Sequence, residues 1–307
     1  MKLRHLISAK DIFDRPFIEE LFKEAAEMEK RVERGVLIKD CEGKILAALF
    51  YEPSTRTRLS FESAMQRVGG SVISAENAAD YSSAKKGETL EDTARMVSSY
   101  ADVIVIRHPE PGSAARLASV AHVPVINGGD GSGEHPTQAL LDLYTIQKEL
   151  GRIDTTTIAF VGDLRYGRTV HSLLHLLPLF RAVQVLLVSS PELRLPEEYR
   201  TALQKHNVAF EESSDLLSAV QKSDVLFVTR IQKERFPSEE EYKKLKGSYT
   251  IDDRTLAALK KTAIIMHPLP RVDEIAREVD KDPRAAYFRE AKNGVFIRMA
   301  LIRSILT

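Results

Sequence analysis

Short apolar runs alternate with stretches of helical period along nearly the whole chain. The first clear run, Ile45–Phe50, is six apolar residues long, the length of a strand buried on both faces of a parallel sheet. Pro53 ends it and Ser54 stands at a helix N-cap. Phe61, Ala64, Met65 and Val68 then share one face of a helix that Gly69 and Gly70 close. Upstream, residues 11–34 carry Ile18, Leu21, Phe22 and Ala25 at helical spacing. Downstream come a short strand at 72–74, a helix from 89 to about 100, the strands ADVIVIR and VPVIN (123–127), and a long helix, Pro136–Leu150. The alternation then restarts with TIAFVGD, a helix from about Arg168, AVQVLLVSS, DVLFVT from Asp224 and AIIM. Strands alternating with helices predict an α/β protein of two domains, each a parallel sheet flanked by helices. The boundary falls after the long helix, giving 1–150 and 151–307. The apolar C-terminal helix, about 292–307, is expected to pack back on the first domain.

The interruptions of this pattern hold the candidate chemistry. Residues 54–57, Ser-Thr-Arg-Thr, lie where a strand turns into a helix, so free amides and the positive helix end converge on them. Two hydroxyl types and the Arg56 guanidinium, which can grip a phosphate bidentately, complete an anion site. Arg107 and Arg230 stand at the carboxyl ends of strands, where open α/β sheets bind ligands, although spacing alone fits a rim salt bridge equally well. Residues 75–87, AENAADYSSAKKG, have no period, and a loop of that length is usually functional or mobile. By spacing alone its Lys85–Lys86 pair reads as solvated surface. His135 precedes Pro136 at a helix N-terminus, where the dipole disfavours imidazolium; a neutral ring there can donate to a carbonyl oxygen. Pro268 and Pro270 leave Leu269 between them, so the backbone carbonyls of this segment point out with no helix to consume them. GDLRYG is not a dinucleotide-binding glycine pattern. His171 and His175 have metal spacing but no third ligand in view, which favours packing.

Composition narrows the field further. Over 307 residues, 44 lysines and arginines balance 44 aspartates and glutamates, so nothing points to nucleic acid or an anionic membrane as partner. A single cysteine, Cys41, excludes an internal disulfide framework and a multi-cysteine zinc site. No run has the length of a membrane span and the N-terminus has no signal-peptide core, so the expected location is cytoplasmic.

The run FYEPSTRTRLSFESA resembles the carbamoyl-phosphate motif of the transcarbamoylases. SxxKKGET, HPTQ, GDLRYGRTVHS, TRIQKER and HPLPR extend the resemblance from about residue 45 to 290. HPTQ and TRIQKER are similar to the aspartate-specific branch; ornithine-specific members typically have cysteine in place of Thr137 and an SMG sequence near TRIQKER. The resemblance implies a catalytic chain that moves a carbamoyl group from carbamoyl phosphate to L-aspartate in pyrimidine synthesis, with no cofactor and no metal. It implies that Ser54, Thr55, Arg56, Thr57 and Arg107 hold the phosphate, together with Ser82 of the 75–87 loop. Thr57, Arg107 and His135 then hold the carbonyl oxygen, and Gln138 with the backbone at Pro268 and Leu269 holds the carbamoyl nitrogen. Arg168, Arg230 and Gln232, with Lys86 of a neighbouring chain, hold the two carboxylates of aspartate. Glu52 is expected to pair with Arg168 and Arg235 when the domains close. Sites shared in this way imply a cyclic homotrimer and leave room for a separate regulatory chain. Glu134 stands where many bacterial members have glutamine. Two rivals differ in acceptor or in class. Ornithine carries a side-chain cation that Arg168 and Arg230 repel, and a phosphate-binding subunit without catalysis has no need of every ligand position.

Overall fold

A computed structural model describes residues 3–12, 14–78, 86–231, 238–240, 242, 247 and 249–307. The chain forms two compact units, Met1–Leu141 with Lys292–Thr307, and Asp142–Ala291. Each is built on one all-parallel sheet with helices around it, as the alternation of apolar runs and helical stripes predicts.

In the first unit the strands are β1 (Ile45–Phe50), β2 (Ser71–Glu76), β3 (Val103–His108) and β4 (Val125–Asp130), in the order β2-β1-β3-β4. β1 and β3 are central. Their apolar runs lie in register, Leu46 opposite Val103 and Leu49 opposite Ile106, and are almost wholly buried. The helices are α1 (Arg15–Glu33), α2 (Thr55–Arg67), α3 (Leu90–Val97), α4 (Ser113–Val120) and the start of α5 (Pro136–Leu150). Thr89 caps α3 through its side chain, which accepts from Asp92 N–H. β4 runs three residues past the expected end at Asn127, taking in Gly128 and Gly129. Its register with β3 shifts between Ile106 and His108, and a Cβ on Gly128 would come within 3.2 Å of the Ile106 carbonyl. The glycines therefore serve a bulged strand end.

The second unit carries β5 (Thr157–Val161), α6 (Arg168–Leu176), β6 (Gln184–Val188), α7 (Glu197–Lys205) and β7 (Ala209–Ser213). It continues with α8 (Leu216–Lys222), β8 (Val225–Val228), α9 (Asp253–Ala258) and β9 (Ile264–Met266). The sheet order is β7-β6-β5-β8-β9. Ala159, Val161, Leu186, Val188, Leu226 and Ile265 meet in its core. The last helix, α10 (Tyr287–Leu306), starts before Val295, where the apolar run begins; its segment from Lys292 groups with the first unit. His171 and His175 are packing residues: His171 stacks on Tyr199 at 4.1 Å and bonds the Leu164 carbonyl at 2.9 Å, and His175 lies 5.4 Å from the same ring. Cys41 is buried, and burial pushes its thiol up to about 11. No described helix is long and apolar enough to cross a membrane.

Candidate active site

The candidate ligands of the first unit follow the carboxyl ends of its strands. β1 ends at Phe50 and the chain passes through Glu52 and Ser54 into α2. Ser54 occupies the N-cap, but its side chain makes no capping bond. The two arginines of TRTR have different environments. Arg58 is tied to Glu62 at 3.1 Å and Glu76 at 2.9 Å, whereas Arg56 is exposed at the helix start. Thr57 is buried, with its hydroxyl 3.4 Å from His135 Nε2. Arg107, at the end of β3, donates from Nε to Glu52 Oε2 at 3.1 Å, so an incoming anion meets a guanidinium held by a neighbouring carboxylate.

His135 is presented by a braced turn. Asp130, at the end of β4, accepts from Gly112 N–H (2.8 Å), Glu134 N–H (2.9 Å) and Asn127 Nδ2 (3.1 Å). Asn127 in turn donates to the Ile7 carbonyl and accepts from Gly129 N–H. Glu134 reaches the other way: its two oxygens accept from Ser8 Oγ and Ala9 N–H, both at 2.6 Å. Burial raises the Glu134 carboxyl above its ordinary range against the pull of those two bonds. The His135 carbonyl starts α5 by accepting from Gln138 and Ala139, and its buried ring has Thr137 Oγ1 3.5 Å from Nδ1. Arg298 of α10, also buried, links the middle of α2 to the start of α5, donating to Ser60 Oγ at 2.6 Å and approaching Thr137 Oγ1 at 3.5 Å while lying over the Phe61 ring.

In the second unit three neighbouring strands end beside one another. β5 pairs with β8 through Val161 and Val228, and β8 with β9. Beyond them come Arg168 at the first position of α6, Arg230 two residues past β8, and Pro268 and Leu269 just past β9. The two glycines of GDLRYG have steric reasons to be there. A Cβ on Gly162 (φ +110°) would lie 2.4 Å from the Thr229 carbonyl, and one on Gly167 would lie 2.4 Å from that of Asp163. Gly162, Thr229, Arg230, Tyr249, Asp273 and Glu274 line a small pocket at this edge. Of the remaining expected ligands, Lys86 is exposed, and Ser82, Gln232 and Arg235 lie outside the described residues.

Sequence reasoning missed the groups behind these ligands. His267 is buried and bonds Glu274 (2.7 Å) and Leu269 N–H (2.7 Å), and its own N–H donates to Glu290 Oε2 at 2.9 Å. Hydrogen bonds from His267 and nearby backbone outweigh burial and hold Glu274 below the usual carboxylate range. At Glu290, burial wins over bonds from His267 N–H and Asp142 and pushes the carboxyl up to about 7. The sign follows. The folded state binds this proton more tightly than the unfolded chain, so the contribution is present below 4.5 and is lost as pH rises through about 7. Glu290→Gln keeps shape and hydrogen bonding without the charge. Relative to the parent it should gain up to about 3 kcal/mol in urea unfolding between pH 5 and pH 8. A pH-independent difference between the two would remove the buried carboxylate as the cause.

The aspartate/ornithine carbamoyltransferase family is matched twice, by its carbamoyl-P binding domain over residues 4–148 and its Asp/Orn binding domain over residues 154–305. The aspartate carbamoyltransferase catalytic subunit of Methanocaldococcus jannaschii is 52% identical over 304 residues, covering 99% of this chain and 98% of its own. The chloroplastic aspartate carbamoyltransferase of Arabidopsis thaliana is 52% identical over 306 residues, covering 99% and 78%. Among solved structures, Trypanosoma cruzi aspartate transcarbamoylase in complex with carbamoyl phosphate and aspartate aligns with a TM-score of 0.95. It is 43% identical and covers 100% of this chain and 98% of its own.

Proposed function

The chain belongs to the aspartate/ornithine carbamoyltransferase family, and from that premise we infer that it carbamoylates L-aspartate with carbamoyl phosphate. The products are N-carbamoyl-L-aspartate and phosphate, a step of pyrimidine biosynthesis. The observation that carries the choice of acceptor is the placement of Arg168 and Arg230 beyond the ends of adjacent strands β5 and β8. Two cations there match the two carboxylates of aspartate and repel the side-chain ammonium of ornithine. Relatives named aspartate carbamoyltransferase, half identical along nearly the whole chain, support the same choice.

In the reaction the aspartate amine attacks the carbamoyl carbon and a tetrahedral oxyanion forms. The carbon–oxygen bond to phosphate then breaks, and the attacking nitrogen sheds a proton. Such a step needs positioning and charge stabilisation. The amides and hydroxyls of Ser54, Thr55 and Thr57, with Arg56 and Arg107, hold the phosphate, and Ser82 joins them. Thr57, Arg107 and His135 steady the carbonyl oxygen. What supports this grouping is the helix start at Ser54 and the approach of the Thr57 hydroxyl to His135. Gln138 and the carbonyls of Pro268 and Leu269 take the carbamoyl nitrogen, and Arg168, Arg230, Gln232 and Lys86 take the aspartate carboxylates. Glu52, with Arg235, serves domain closure; exchange of Glu52 away from Arg107 accompanies anion binding.

The working form is a homotrimer in which the segment holding Ser82 and Lys86 serves a neighbouring chain, and a separate regulatory chain has room to join. Exposed Leu59 on α2 and Ile73 on edge strand β2 supply apolar surface for such contacts. The lone cysteine suits a reducing compartment, and we place the protein in the cytoplasm. Incubation with carbamoyl phosphate and either L-aspartate or L-ornithine tests the activity. Ureido product is expected from aspartate at least about 10³-fold faster, since unpaired charge in the acceptor pocket is penalised heavily. Citrulline as the main product would overturn the assignment.

A further inference from the structure

We propose that His267, backed by Glu274, is a positioning residue that locks the backbone of Leu269 in place for the carbamoyl group. The inference rests on the reading of the Pro268 and Leu269 carbonyls as ligands of the carbamoyl nitrogen. Leu269 has φ +54°, a left-handed conformation that a branched L residue holds only when its surroundings fix it. Its N–H lies 2.7 Å from His267 Nδ1. An N–H can only donate, so Nδ1 is bare and the ring proton sits on Nε2, where it donates to Glu274 Oε1 at 2.7 Å. The other oxygen of Glu274 accepts from Val272 and Asp273 N–H, both at 3.1 Å. The carboxylate thus accepts three bonds from the segment it closes, and it sets the tautomer that leaves Nδ1 available to Leu269. The far side is fixed as well: His267 N–H bonds Glu290, and Arg271 is held by Asp280 and Tyr287. The histidine side chain is 1% exposed and is not among the residues lining the pocket that Glu274 borders, so His267 acts on substrate only through the Leu269 backbone. A mobile Leu269 leaves its carbonyl off the line it must hold while the carbamoyl carbon turns tetrahedral.

Two substitutions separate this role from simple packing. His267→Asn puts a carboxamide oxygen where Nδ1 stood, so Leu269 N–H keeps its acceptor while Glu274 loses a donor. His267→Gln reaches Glu274 and fills more of the volume, but leaves Leu269 N–H without an acceptor. The asparagine variant should be the less stable of the two and keep kcat within about threefold, whereas the glutamine variant should lose about 10- to 100-fold in kcat. KM for aspartate should move little in either. A purely structural histidine predicts the reverse ranking, and kcat of the glutamine variant equal to or above that of the asparagine variant overturns the proposal. Nitrogen-15 NMR of the parent should show His267 as the Nε2–H tautomer; a proton on Nδ1 also overturns it. The underlying reading has its own readout in the Leu269 carbonyl carbon, whose 13C shift should move when carbamoyl phosphate is added. If it stays still, the carbonyl is no ligand and the proposal falls with that reading. If it moves while His267→Gln turns over like the parent, the positioning role alone is wrong.

Discussion

Arg56→Ala should lower kcat by about 10²- to 10³-fold, the loss expected when one preorganised charged donor is taken from a developing anion. Folding should barely notice. Arg56 is exposed at the start of α2, and surface substitutions of this kind usually shift stability by less than about 0.5 kcal/mol. The contrast with Arg58, two residues on, is the control. Arg58 holds Glu62 and Glu76, so Arg58→Ala should loosen the packing of α2 on β2 and act on stability first. Lysine at position 56 restores charge but not the forked geometry and should recover only part of the rate. Kinetics with carbamoyl phosphate as the varied substrate, alongside thermal unfolding, make the comparison. Parental kcat in Arg56→Ala would remove the residue from the phosphate site.

The fold was legible because a strand buried on both faces admits little but apolar residues. β1 and β3 sit at the centre of their sheet, and their runs could be read as strands without ambiguity. The apolar pattern ends β4 at Asn127 because glycines look like loop, although at Gly128 the missing side chain is what lets β3 and β4 approach through a bulge. The candidate site was legible in a different way. Apolar periodicity places Arg107, Arg230 and Leu269 at strand ends, but cannot separate a ligand from a rim salt bridge; the Glu52 contact of Arg107 shows how both can be true of one side chain. Family resemblance, rather than spacing, carried the choice of ligands. The supporting groups were hidden from both. Asn127, Asp130 and Glu134 meet where the end of β4 runs into an aperiodic turn, and His267 and Glu274 are seven residues apart in an irregular segment. Such pairs meet only because the chain reverses between them. Burial of polar side chains is what reveals them, since a buried polar group in a folded chain is bonded to something that matters.

The second large effect tests whether a site is completed by a neighbouring chain. Lys86→Ala breaks the segment that is proposed to cross the interface, and Arg56→Ala breaks the pocket that receives it. Each variant alone should be nearly inactive, because every site in its homotrimer carries a lesion. Dissociating the two, mixing equal amounts and allowing trimers to reform changes the count. A site is intact when its pocket comes from the Lys86 variant and its crossing segment from the Arg56 variant. Each event has probability one half, so about one quarter of all sites should regain parental activity in a ring with head-to-tail contacts. Every mixed trimer then holds one good site, whichever variant is in the majority, and activity should follow the mixing ratio as a parabola peaking at equal parts. If Lys86 serves its own chain instead, every site keeps one lesion in every mixture and no activity returns. Confirmed subunit exchange without recovery would therefore place Lys86 in its own chain's site and end the shared arrangement.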